Sequence, residues 1–156
     1  MKKQMNKKGE SKKSKVKLKA GPDEAAKILE GLGMAASDRI LDYIKEKNPK
    51  LADKVQESMV TFEDLQYLSA TMLMELYRDI KMEDLALGLR IASKKLQDHI
   101  FKYSSVGMKK DLEAILNGPP QSVNDVQLAV EKVMKIMREK VKLGKIVIDR
   151  TDGNYV

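Results

Sequence analysis

Between Pro119-Pro120 and Gly144 one stripe of apolar residues recurs at helical spacing: Val126, Val130, Val133, Met134, Met137 and Val141. Steps of three and four residues place these side chains on one face of an α-helix. The pattern predicts a long helix that starts at Ser122 or Asn124, with Gly144 as the residue just past its end. A helix apolar on a single stripe has to bury that stripe on neighbouring helices. The one extended, β-type stretch is Lys145 to Asp149, which is too short to form a sheet alone. The sequence therefore points to an all-α fold.

The rest of the chain is punctuated as a series of short helices. Gly21-Pro22-Asp23-Glu24 reads as a helix start, with proline in the first turn and acids at the positive end of the helix dipole. Ala26, Ile28 and Leu29 give that helix its apolar face before Gly31 and Gly33 stop it. A second helix carries Ile40, Leu41 and Ile44 and ends at Asn48-Pro49, because proline disfavours α geometry in the residue before it. A third runs from Leu51 to Met59. Thr61, with Asp64 three positions on, caps a short helix. Ser69 opens a helix whose Met72, Leu73 and Leu76 point inward, and Met82 to Arg90 follows. Ser93 caps Leu96, Ile100 and Phe101, and Ser104 or Ser105 opens Met108, Leu112, Ile115 and Leu116. Short antiparallel helices capped at such intervals fit the loose grammar of a helical solenoid. The first three are too few to stand alone and need the rest of the chain, or a second copy, to cover them.

Charge is distributed unevenly. The chain carries +7, yet residues 1–20 hold nine lysines against Glu10, which leaves the remainder close to neutral. With almost no apolar residue to bury, this tail is expected to be disordered. A polyanion tether is the sharper reading and a solubility tail the plainer one, favoured because no aromatic interleaves the lysines to stack on bases. No apolar run approaches the roughly 18 residues of a membrane-spanning helix. Without Trp and with two Phe, the core falls to Leu, Ile, Val, Ala and the ten Met, whose flexible thioethers fill gaps between helices.

Catalytic chemistry is not encoded in any recognisable pattern. With one His and no Cys there is no set for nucleophilic catalysis, no disulfide and no thiolate metal site. His99 sits inside a helical segment, where packing is its expected role. The glycines lack the spacing of a phosphate loop. Asp38 and Asp42, and Glu63 and Asp64, lie among Lys and Arg and read as solvated charge faces instead of metal ligands. No catalytic residue, cofactor, metal or small-molecule substrate is expected, and the chain is not read as an enzyme.

Three segments, in order, carry a family resemblance: Asn48-Pro49-Lys50-Leu51-Ala52-Asp53 before Met59-Val60-Thr61-Phe62, then Leu85 to Ser93, and the closing Leu143-Gly144-Lys145-Ile146-Val147-Ile148. Together they resemble the C-terminal half of the FliG family of flagellar motor switch proteins, over roughly residues 21 to 156. The resemblance implies an armadillo-like helical unit at 21–58, a flexible joint at Met59, Val60, Thr61 and Phe62, a C-terminal helical bundle at 63–149 and a tail at 150–156. At the joint Val60 stands where the family has Phe, and Met59 and Phe62 are expected to be buried between the two helical units.

The family meets the stator through charges, and the resemblance places these residue by residue. Its first basic position falls on Arg90. The next falls on Gly107 and a third on Gln121 or Ser122, so both are lost. Its acidic pair falls on Glu113-Ala114 or on Ala114-Ile115. Lys109, Lys110, Asp111 and Glu113 supply charge nearby, and with Arg90 they are the candidate stator contacts. The implied partners are a MotA-like stator cytoplasmic loop, FliM-like switch proteins and other FliG-like subunits, with no nucleic acid and only indirect membrane contact. The implied place is the cytoplasmic face of the cell membrane, at the flagellar basal body. The chain has no room for the family's N-terminal and middle domains, which leaves a natural short paralogue or a truncated form. The alternative reading is a helical adaptor whose basic tail binds nucleic acid or anionic lipid.

Overall fold

The structure, a computed structural model, describes residues 21 to 151. The expectations for the lysine-rich tail 1–20 and for residues 152–156 lie outside these. The chain divides into two compact units between Met59 and Val60. Every element among the described residues is helical, in line with the all-α expectation.

The first unit holds three helices: α1 across 21–30, α2 Met34–Lys47 and α3 Pro49–Ser58. Gly33, at φ +76°, makes the turn between α1 and α2, a backbone angle that suits glycine. Asn48 separates α2 from α3 by serving both. Its N–H donates to Ile44 O at 2.6 Å, and its Oδ1 accepts from Leu51 N at 3.2 Å. Pro49, which cannot donate, occupies the first turn of α3 where no donor is needed. The core is small: Ala26, Leu29 and Val55, flanked by Ala25, Leu41, Leu51 and Met59. Ile28, expected on the buried face of α1, is 60% exposed and is a correction to that reading. It stands about 100° round the helix from Leu29, beyond the reach of a three-helix layer.

The second unit begins with a 3-10 helix, Phe62–Tyr67, so the short helix expected after Thr61 is the tighter form. Then come α4 Ala70–Tyr77, α5 Met82–Leu89, α6 Lys94–Lys102, α7 Val106–Leu116 and α8 Val123–Lys142. The main packing is α5 against α7 and α8, with α6 on the 3-10 helix and α4 on α8. Leu65, Leu73, Leu76, Leu85, Leu89, Leu96, Ile100, Leu112 and Met137 are fully enclosed. Ser69, Ser93, Ser105 and Ser122 cap α4, α6, α7 and α8, each hydroxyl accepting from the N–H three residues on. His99 is half-buried and donates Nε2–H to Leu68 O at 2.8 Å, a packing role.

Two corrections concern residues near the joint. Met59 and Phe62 are half-buried and not fully enclosed: Met59 packs on the α1/α3 core, and Phe62 lies against Gly88 of α5. Glu63 and Asp64 are not merely solvated charge. Glu63 accepts from Ser93 N at 2.8 Å and from Ser93 Oγ at 2.6 Å, fixing the start of α6. Asp64 is buried; it accepts from Thr61 N at 2.8 Å and takes both Nε and Nη2 of Arg150, at 2.9 and 2.7 Å.

Helix α8 ends as its glycine predicts. Gly144 adopts φ +74° and donates to Val141 O, while Lys145 N donates to Lys140 O, the paired bonds of a Schellman motif. Beyond it Ile146 is buried and the segment 145–149 pairs with no strand. Lys140 is enclosed on α8 and ion-pairs with Glu75 at 3.0 Å and Asp79 at 2.5 Å, next to α4. The hydrogen bond from Lys140 holds both carboxyls below their ordinary range, and the bonds to Asp79 and Glu75 raise the Lys140 amine above its own.

Candidate partner-binding surface

Helix α7 sets the geometry of the candidate site. Leu112 turns into the core and is fully enclosed. At about 100° per residue, Gly107 and Ala114 fall seven residues apart on one face, with Lys110 and Asp111 beside them. All four are exposed, and they form one solvent-facing stripe. Lys109 and Glu113 stand on the other flank, and Lys109 is half-buried. The candidate quartet is therefore split: Lys110 and Asp111 belong to the stripe, Lys109 and Glu113 do not. None of the four side chains has a hydrogen-bond or ion-pair partner among the described residues. Such unpaired surface charge is free to meet a partner.

The stripe leads toward a shallow groove of about 170 Å³ between α5 and the end of α7. Glu83 and Arg90 line it from α5, Ala114 and Ile115 from α7, and Gly118, Pro119 and Gln121 from the connection to α8. Arg90, at the end of α5, points across the groove and not outward. Its Nε donates to Ile115 O at 3.1 Å, its Nη2 bonds the same oxygen, and its Nη1 donates to Pro119 O at 2.8 Å. Sequence reasoning missed this commitment, although Pro119-Pro120 directly after the end of α7, with no N–H between them, was a usable sign that carbonyls there would take side-chain donors.

The positions left open above differ in their surroundings. Ser122 Oγ accepts from Asp125 N as the cap of α8, whereas Gln121 is exposed on the groove. Ile115 is half-buried, whereas Glu113 and Ala114 are exposed. Gly107 lies in α7 without a positive φ, and a Cβ built there meets nothing within 4 Å. A larger side chain fits at 107 without strain. No group of three or more acidic or His side chains able to hold a metal ion occurs among the described residues, and no described helix is long and apolar enough to cross a membrane.

Comparison with known proteins places this surface in a family. Residues 42–148 match the FliG C-terminal domain. Among curated relatives, the flagellar motor switch protein FliG of Thermotoga maritima is 34% identical over 85% of this chain, and that of Bacillus subtilis 28% identical over 87%. Each match spans 40% of the relative's length, so the chain corresponds to less than half of those proteins. A solved fragment of FliG from H. pylori aligns with a TM-score of 0.66 at 27% identity, covering 81% of this chain and 60% of that one. A second H. pylori fragment gives 0.54 at 26%, over 83% and 57%. With the family matched across both the candidate stripe and the groove beside it, the chain belongs to the FliG C-terminal domain family.

Proposed function

We propose that the chain is a component or paralogue of the flagellar motor switch, working by contact between proteins and not by catalysis, at the cytoplasmic face of the membrane through the basal body. The family match over 42–148 carries this reading. Its partners are a stator cytoplasmic loop, FliM-like switch proteins and other FliG-like subunits, with residues 59–62 as the joint between an armadillo-like unit and the bundle. The stator-facing surface is the Gly107–Ala114 stripe, to which this chain brings Lys110 and Asp111, with Lys109 and Glu113 on its flank. It carries no base at Gly107 or Gln121 and no acid at Ala114. Charges at an interface rim govern encounter and orientation, so this set engages a standard stator weakly.

The test is a chimera in which the chain replaces the C-terminal half of a full-length FliG. Weak swimming is expected, improved by Gly107→Arg together with Ala114→Asp, since both sites are open. Normal swimming by the unmodified chimera, abolished on neutralising Lys109, Lys110, Asp111 and Glu113, would overturn the idea of a depleted surface. Failure of the chain to co-purify with basal bodies would remove the motor assignment itself.

A further inference from the structure

The guanidinium of Arg90 faces the protein's own backbone. It bonds two carbonyls on either side of the turn that leaves α7, Ile115 O and Pro119 O. Asn117 N–H donates to Glu113 O at 2.9 Å and Gly118 N–H to Ile115 O at 3.2 Å. Pro119 and Pro120 have no N–H to carry the main-chain bonding further, so Arg90 adds donors to Ile115 O and supplies one to Pro119 O. The last carbonyls of α7 also carry the negative end of its dipole, which a cation stabilises. Arginine meets both needs because its donors are set in a rigid planar fork, while lysine presents a single ammonium on a flexible stem.

Gly118 is the second, independent sign that the site is built. A Cβ there would lie 3.0 Å from Ala114 O, 3.3 Å from Ile115 O and 3.4 Å from Arg90 Nη2. The missing side chain lets the turn pass close to the last carbonyls of α7, one of which, Ile115 O, the fork bonds.

We propose that Arg90 is a positioning residue: it locks the α7–α8 turn and thereby fixes the stripe from Gly107 to Ala114 relative to Gln121, instead of offering its charge to a partner. The inference rests on the proposed function for its motility consequence alone; the clamp itself is a property of the isolated chain. Arg90→Lys keeps the charge and loses the fork, and Gly118→Ala leaves every charge in place while pressing on the carbonyls of Ala114 and Ile115, the second of which the fork bonds.

The chain has no native Cys, so spin labels can be placed through Gly107→Cys with Gln121→Cys. Pulsed electron resonance on the full chain should give a narrow distance distribution that widens in Arg90→Lys and in Gly118→Ala. Amides of Asn117 and Gly118 should exchange about tenfold faster in both, the order expected for losing one charge-assisted hydrogen bond. In the chimera, Arg90→Lys should swim as poorly as Arg90→Gln. An unchanged distance distribution and unchanged exchange in Arg90→Lys would overturn the clamp. So would swimming by Arg90→Lys at the level of the unmodified chimera where Arg90→Gln falls below it, since charge alone would then suffice. If the motor assignment is wrong, swimming is insensitive to every variant, and the label distances and exchange still decide.

Discussion

Gly88 and Phe62 allow a sign reversal to be tested. Gly88 lies within α5, and an ideal Cβ there would stand 2.6 Å from Phe62 Cζ, with Cε2 and Cε1 at 3.1 and 3.2 Å. Carbon atoms settle at about 3.5–4.0 Å, so Gly88→Ala forces the ring back by roughly 1 Å. Overpacking of this kind costs about 1–3 kcal/mol. Replacing a mid-helix glycine by alanine returns about 1 kcal/mol of helix propensity, and because Phe62 is half-buried its ring has some room to give. The net expectation is a loss of about 0–2 kcal/mol, combining these two terms. In a Phe62→Ala background the obstacle is gone, and the same substitution should stabilise by about 0.5–1 kcal/mol. Phe62→Ala alone should cost less than the roughly 3–5 kcal/mol of a fully buried phenylalanine. Urea unfolding of all four proteins, with hydrogen exchange at the enclosed Leu85, Ala86 and Leu89 reporting on the second unit, completes the double-mutant cycle. If Gly88→Ala has the same sign and size in both backgrounds, the ring does not press on this helix and the placement of Phe62 is refuted.

The Lys140 cluster should make the second unit acid-sensitive. Glu75 and Asp79 are held below their ordinary values of 4.5 and 3.8, so the stability they contribute is present above those values and is lost as pH falls through the lower folded-state ones. Lys140, raised above 10.5, contributes stability that is complete below that value and is lost as pH climbs through the higher folded-state one. Urea midpoints measured across pH should show both edges, and Lys140→Met should flatten them; an unchanged profile in that variant would refute the pairing. Arg150→Gln leaves the buried Asp64 carboxylate with fewer donors and should cost about 1–3 kcal/mol. Exchange at the Thr61 amide should quicken with it, and an unaffected Thr61 would show that the pair does not hold the 3-10 helix.

What could be read from the sequence was mostly local. The serines at 69, 93, 105 and 122 declare helix starts because a hydroxyl caps the N–H three residues away, whatever the tertiary context. Gly144 announces the end of α8 through backbone conformation alone. Roles that were not legible belong to residues whose partners lie far along the chain. Lys140 looks like any helical lysine until α4, 65 residues earlier, brings Glu75 beside it. Asp64 looks solvated until Arg150, 86 residues on, closes over it. At the candidate surface, helical periodicity alone groups Lys110 and Asp111 and separates Lys109 and Glu113. The inward turn of Arg90 required knowing which carbonyls lay across from α5, information that no spacing contains.

The Arg150–Asp64 pair has a consequence for chain topology. It sets residue 150 beside residue 64, so the beginning and the end of the second unit's described fold meet at a single point. A segment whose ends are neighbours can be joined there by a short linker and reopened elsewhere with little loss of loop entropy. A circular permutant of this unit, opened at the exposed connection around Pro120, would keep the packing of α5 on α8 while removing the direct chain link between α7 and α8. The same adjacency means that a force pulling on residue 150 is borne first at the 3-10 helix and not along α8.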